Sequence, residues 1–369
     1  MSRSEILHSV VPRTIVIGSQ CFDRIINVIS AFGFIPKVLV LTGPKTREIA
    51  GIEIFDIMAN QDFEYETLVV EDAIVTPEVA DTYVDIVNKY KPNVLVAAGG
   101  GRIIETGKYC LSKSSDQMEM ISVPTSTPHD GIASPFIFLD DPTETFIGEC
   151  RPPIAVIADV DKIAKHPNLV RYLAAGVGDT LGKITAIWDW RHAYRIKSER
   201  YSRFVGGVLE NADTLFQNQV SEALIDPDHA IQVVLKALLI AGVLMGTSND
   251  IRVGYGSEHM FAASLAAELH ETSGNSLLHG ERVALGTILM SKLQNQNYQN
   301  VKDLLETAGC PVTIDDFEEH IPSEVIINAL LRAHKMSPIY TILGRSGLTK
   351  VAALRLAQST GIIESIIPF

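Results

Sequence analysis

The chain has 369 residues, 46% hydrophobic and 20% charged, an ordinary globular composition with length for two domains that each bury a core. Its 44 acidic and 31 basic residues give a formal charge of −13, which argues against nucleic acid or an anionic membrane as the main partner but allows a small anionic substrate held by local positive groups. The longest apolar run, 237–246, is short for a membrane span, the N-terminal MSRSEILHSVVPRT has no long apolar region of a secretion signal, and four scattered cysteines without CxxC spacing read as reduced thiols of a cytoplasmic protein.

Short apolar runs at 14–18, 37–43, 67–71, 94–98, 120–124 and 155–160 read as buried strands, most of them bounded by Gly, Pro or Asp. Helix-like segments separate them. Pro77–Tyr90 is one, with Thr76 as N-cap and Pro77 at the first helical position. This alternation predicts a mostly parallel sheet with right-handed crossovers. Residues 135–139 and 145–149 predict a hairpin inserted before the last strand. After Val160 strands become scarce, and 179–196, 230–245, 281–294 and 301–308 have helical length and spacing. The expected organisation is an α/β domain over 1–160 followed by a mainly helical domain over 161–369.

The fourth strand runs into Gly99-Gly100-Gly101 and then into RIIETGK. Without Cβ atoms a backbone approaches an anion closely, and the first N–H groups of a helix point at it. The pattern is neither GxGxxG nor a Walker A loop, and it comes too late for a first-turn dinucleotide fingerprint. A tight turn without a ligand is the alternative. The next strand leads into VPTSTPHDG (123–131), whose hydroxyls and amides would line the same crevice, or which is simply a polar turn shaped by two prolines.

In the helical half, Asp179 in AGVGDTLGK, His259 in GSEHMF and His279 in LLHGE make a chemically sensible set for Zn²⁺, Ni²⁺ or Fe²⁺ with a position left for substrate or water. Their spacing alone is weak evidence among ten histidines. His192, His229, His270, His320 and His334 read as surface or core residues. Lys183, one turn after Asp179, and Arg282, near His279, are candidate positive groups or else solvated helix charges.

At these residues the chain resembles the sn-glycerol-1-phosphate dehydrogenases, a branch of the superfamily of iron-containing alcohol dehydrogenases, glycerol dehydrogenases and dehydroquinate synthases. The matching stretches are VAAGGGRIIETGK (96–108), SVPTSTPHDGIASPF (122–136), GVGDTLGK (176–183), GSEHMF (256–261), LLHGERVALGTI (277–288) and YTILGRSGLT (340–349), in order over most of the chain. The resemblance implies a Rossmann-like NAD or NADP domain, a helical domain and one divalent metal in the cleft between them, zinc first, nickel or iron otherwise. It makes Asp179, His259 and His279 the metal ligands. It sets Gly101, Arg102, Thr125, Ser126 and Ser134 at the dinucleotide, beside Gly99, Gly100 and Glu105 of the same turn and helix, and Asp130 at the substrate; with Lys183, one turn after it, Asp179 and Asp130 are the candidate catalytic groups. Lys45 and Arg47, after the second strand, are candidates for a 2′-phosphate or else a solvated basic turn. The expected partners are a small-molecule substrate and further copies of the chain, with no nucleic acid and no membrane.

Departures from the family pattern bear on the substrate. Glu105 stands where an aspartate is usual, Ala263 where the family carries a histidine, and Met336 and Ile339 where arginines are common. The expected activity is interconversion of a small polar, phosphorylated alcohol and its ketone, glycerol 1-phosphate and dihydroxyacetone phosphate first. The alternatives are a paralogue acting on another polyol, sugar or biosynthetic alcohol, and a non-redox cyclase or lyase on the same scaffold. Lys335, Arg282 or Arg345 would be the compensating cations.

Overall fold

The computed structural model describes residues 9–364 apart from 34, 35, 62, 115–117, 128, 141–144 and 273–276. The middle of the expected hairpin, 141–144, lies outside the described residues.

Eight strands are described: β1 (Thr14–Gly18), β2 (Lys37–Thr42), β3 (Glu64–Val69), β4 (Val94–Gly99), β5 (Glu119–Pro124), β6 (Phe136–Asp140), β7 (Thr145–Glu149) and β8 (Ala155–Asp159). Helices α1 (Arg24–Ser30), α2 (Pro44–Thr46), α3 (Ile52–Ala59), α4 (Pro77–Tyr90), α5 (Gly101–Lys113) and α6 (Val160–Ala164) alternate with them. Eight more follow: α7 (Leu169–Lys197), α8 (Arg203–Ala223), α9 (Pro227–Ser248), α10 (Ser257–Thr272), α11 (His279–Leu293), α12 (Tyr298–Thr307), α13 (Ser323–Arg332) and α14 (Lys350–Ser359). Thr76 caps α4, its hydroxyl accepting from Val79 N. β3 begins earlier than its apolar run because it is an edge strand, where Glu64 and Glu66 face water.

Six strands form one parallel sheet in the order β1-β8-β5-β4-β2-β3, and β6 and β7 form a separate pair. β4 and β8 are buried along their whole length, which explains their unbroken apolar sequences. From β2 the chain moves outward to β3, whereas from β4 it moves the other way to β5. The topological switch point therefore lies between β2 and β4, whose carboxyl ends carry Gly43 and the triple glycine.

The chain divides into two compact units. The first runs to residue 140, resumes over Phe146–Leu169 and takes in Leu239–Ile251; the second comprises Val170–Leu238 and the residues from Arg252 onward. No composition shift marks the return of Leu239–Ile251, because it begins inside helix α9. That helix has 22 residues and a mean hydropathy of 2.0 over its most apolar window, long and apolar enough to cross a membrane. The run 237–246 understated it, since Lys236 and Thr247 interrupt the apolar sequence. Of that window 67% is buried within the fold, as in a core helix.

Within the second unit, α7 and α11 cross without intervening side chains. A Cβ on Gly280 would lie 1.8 Å from Ala175 O, and one on Gly178 would lie 2.4 Å from Gly280 O. A Cβ on Gly286 would lie 2.5 Å from Glu258 O, so α10 also packs backbone to side-chain-free backbone. Gly280→Ala is expected to force these helices apart and cost about 1–3 kcal/mol, the usual range for overpacking. Thermal unfolding would record this as a lowered Tm, and a Tm equal to that of the natural protein would contradict the close crossing.

Candidate active site

The helix crossings bring together three residues far apart in sequence. Asp179 sits mid-way along α7, His259 in the first turn of α10 and His279 at the first position of α11. One ligand atom from each lies within 4.8 Å of the others. His259 Nε2 is 3.1 Å and His279 Nε2 3.8 Å from Asp179 Oδ1. Asp179 is fully buried, and its Oδ2 has no hydrogen-bond partner among the described residues. A buried carboxylate oxygen without a donor is costly unless something cationic meets it. Two imidazoles, a carboxylate and that unused oxygen fit a divalent ion.

The surroundings keep Asp179 ionised. Burial alone would raise its pKa, but Lys183, His259 and His279 hold it well below the usual carboxylate range. Lys183 is not a solvated helix charge: it is buried, with Nζ 3.2 Å from Asp179 Oδ1 and 3.4 Å from Gly254 O. Arg282 is likewise buried and donates to Leu277 O at 2.8 Å. Arg171 forms a two-pronged pair with Glu281, at 2.6 and 2.9 Å, and Glu281 accepts from Leu278 N, which fixes the start of α11 and thus His279.

Glu258 went unnoticed in the sequence. It is fully buried, and its Oε1 lies 2.7 Å from His259 Nδ1 and accepts from Gly256 N, while Oε2 accepts from Thr185 Oγ1 at 2.6 Å. A carboxylate on Nδ1 makes that nitrogen a donor and turns Nε2 toward Asp179 and His279, where it could offer its lone pair to a bound ion. The only available signal was the Glu-His adjacency in GSEHMF. Behind it, Asp189 accepts from Ser257 N at 2.8 Å and Ile342 N at 2.7 Å; burial and the nearby Glu258 push it up to about 7.

In the first unit, α5 starts directly at the triple glycine. Ile103 N and Ile104 N donate to Gly100 O, which leaves the N–H groups of Gly101 and Arg102 at the helix start. A Cβ on Gly100 would meet one neighbour, Ser126 Oγ at 3.3 Å. Ser126 is buried and its hydroxyl has no partner among the described residues. Thr125 N is tied to Gly99 O at 3.1 Å. Arg102 points along the switch point, its Nη2 3.2 Å from where a Cβ of Gly43 would stand. Open backbone, free helix N–H groups, an unused hydroxyl and a guanidinium at the carboxyl end of β4 suit an anion. Ser134 is engaged locally with the backbone of Phe136, and Glu105 is buried with both oxygens engaged inside the fold. Asp130 opens the 3₁₀ turn Asp130–Ile132 and is buried.

Glu258→Gln keeps the size of the side chain but removes the negative charge on His259 Nδ1. Metal affinity is expected to fall about 10- to 100-fold, the usual effect of losing such a partner, read by chelator competition; undiminished affinity would sink the role given to Glu258. Gly100→Val is expected to weaken NAD(P)H binding strongly with little change in Tm, because the new side chain fills space the protein leaves open. Fluorescence titration giving an unaltered Kd would overturn the glycine-turn assignment.

Comparison with known proteins adds family to geometry. Residues 16–167 match the family model described as iron-containing alcohol dehydrogenase. Along 354 residues the chain is 36% identical to the glycerol-1-phosphate dehydrogenase [NAD(P)+] of Pyrococcus furiosus, covering 95% of this chain and 98% of that one. The protein of the same name from Hyperthermus butylicus is 37% identical over 97% of this chain and 99% of its own. The crystal structure of glycerol dehydrogenase from Schizosaccharomyces pombe superposes with a TM-score of 0.75 at 18% identity, over 98% of this chain and 94% of that one, which speaks for the fold alone. The chain belongs to the glycerol-1-phosphate dehydrogenase family of the iron-containing alcohol dehydrogenases.

Proposed function

We propose that the chain is a metal-dependent NAD(P)-linked dehydrogenase that interconverts glycerol 1-phosphate and dihydroxyacetone phosphate. The observation that carries the reading is the buried Asp179–His259–His279 set with its unused Asp179 oxygen, in a chain whose near-full-length relatives carry that activity in their names. The donor set suits zinc, and accommodates nickel or iron. When bound, the metal supplies Lewis acidity at the substrate oxygen and the dinucleotide supplies or takes the hydride.

The chain's own residues then divide the work. Asp179, His259 and His279 hold the ion, Glu258 sets the His259 tautomer, and Lys183 keeps Asp179 charged. The N–H groups of Gly101 and Arg102, with Thr125 and Ser126, receive the pyrophosphate. Asp130 holds or passes the proton that the substrate oxygen gains as the ketone is reduced. Lys45 and Arg47 follow the end of β2, and Arg102 reaches toward Gly43 beside them, which supports use of NADPH alongside NADH. The four free cysteines support a cytoplasmic setting. Exposed Phe204 and Leu215 on α8 support further copies of the chain as partners.

The run that carries Met336 and Ile339 leads into Thr341, whose Oγ1 lies 3.8 Å from Met260 Sδ, beside His259, which supports a bearing of these departures on the substrate pocket. Ile339 lines a polar cavity with Lys197, His334, Tyr340 and Arg345, and the Tyr340 ring stacks on His192. Arg345 belongs to the same cavity, and Arg282, buried on α11 three residues after His279, donates to Leu277 O. Ala263, one helical turn beyond His259 on α10, is the departure nearest in sequence to a proposed metal ligand.

A charge-assisted hydrogen bond to phosphate contributes about 1.5–3 kcal/mol, roughly 10- to 150-fold in affinity. Ala263→His is therefore expected to raise kcat/KM for dihydroxyacetone phosphate by at least about tenfold. The assay is NAD(P)H oxidation by metal-replete protein over a panel of ketones. Failure to oxidise NAD(P)H with any of them would refute the dehydrogenase reading, and an efficient natural protein unaffected by the added histidine would remove Ala263 from the substrate pocket.

A further inference from the structure

Helix α5 carries two buried charges that the reaction does not use. Lys108 is fully buried, with Nζ 2.8 Å from Glu105 Oε1 and 3.1 Å from Gly131 O. The other oxygen, Glu105 Oε2, accepts from Phe138 N at 2.8 Å, in the middle of β6. His129 completes the arrangement. Its Nδ1 accepts from Gly131 N at 2.9 Å, so the ring proton sits on Nε2, which faces Glu105 Oε1 at 3.8 Å. The turn has no slack: a Cβ on Gly131 would lie 2.2 Å from Glu105 Oε1, and on the other side a Cβ on Gly242 would lie 2.5 Å from Asp130 O.

These contacts join two parts of the proposed site. α5 begins at the glycine turn that receives the dinucleotide, and Asp130 sits between His129 and Gly131, the two residues gripped by Glu105 and Lys108. Burying an ion pair is tolerated only when both charges are fully hydrogen-bonded, and here every partner lies on the Asp130 turn or the strand that follows it. Glu105 was expected at the cofactor, yet both its oxygens are committed to this network.

We propose that Glu105 and Lys108 are positioning residues: a buried ion pair that clamps the Asp130 turn to the dinucleotide-binding helix and so sets the carboxyl group that serves the substrate. The proposal rests on the dehydrogenase reading for its kinetic consequence and on geometry alone for its structural one. It also accounts for a glutamate at 105, since the side chain spans from the second turn of α5 to both Lys108 and Phe138 N.

The test uses the full chain with metal bound. Removing one charge alone would strand the other in the core, so the informative variant is the double change Glu105→Gln with Lys108→Met, which removes both at similar size. Expected are an unchanged metal content, an NAD(P)H Kd within about twofold of natural, a kcat for the ketone at least about 30-fold lower, and amide exchange over residues 129–138 at least about tenfold faster. Glu105→Asp, which keeps the charge on a shorter arm, should recover part of the lost kcat. An unaltered kcat, or an NAD(P)H affinity that falls in step with it, would overturn the proposal. If the natural protein turns over no ketone, the dehydrogenase reading fails while the exchange comparison still decides the clamp: undiminished protection of 129–138 refutes it, and lost protection supports it.

Discussion

A carboxylate placed in a protein interior with one oxygen unbonded is tolerable only where positive charge converges on it. Asp179 is such a group, and much of the second unit follows from satisfying it. Lys183 reaches it from the same helix, and His259 and His279 arrive on two others. Those helices come close enough only because Gly178, Gly280 and Gly286 leave backbone facing backbone. The glycines thus belong to the proposed metal site although none offers a ligand atom. Glu258 and Arg171 act one step further out, the first by turning His259, the second by anchoring Glu281 at the head of α11.

In the proposed reading the first unit meets a different demand, a place for an anion in a chain of net charge −13. It is met with backbone and one guanidinium. The chain's path across the sheet reverses between β2 and β4, so the loops after these strands diverge and leave a crevice at their carboxyl ends. The triple glycine keeps that crevice open and the start of α5 supplies N–H groups to it. A dense acidic surface elsewhere need not oppose binding there, since exposed charges beyond about 10 Å are largely screened at ordinary salt.

Much of the architecture was legible because burial writes itself into sequence where both faces of a strand are covered. β4 and β8 read correctly for that reason, and β3 read short because its edge position lets Glu64 and Glu66 in. The Thr76-Pro77 start of α4 was legible from local backbone chemistry alone. The proposed metal triad was not, since 80 and 20 residues separate its members and only the family resemblance joined them. Glu258 escaped notice because an acid beside a histidine has no distinctive spacing. The Glu105–Lys108 pair escaped for the opposite reason: three residues apart on a helix, it has the spacing of an exposed ion pair, and its burial depends on strands that come later in the chain.

The path of α9 has a consequence for how the protein is made. Its second half belongs to the first unit, where a Cβ on Gly242 would collide with Asp130 O and Val10 N donates to Gly246 O at 3.4 Å. A nascent chain that has reached Leu169 thus holds every strand of the sheet but lacks a segment the first unit needs to close. Synthesis proceeds at about 5–20 residues per second, so the ribosome must work for on the order of ten seconds more before Leu239–Ile251 emerges. Through that interval the surface that α9 will cover stays exposed, and the intermediate with all its strands and no closing helix is the species a chaperone would meet.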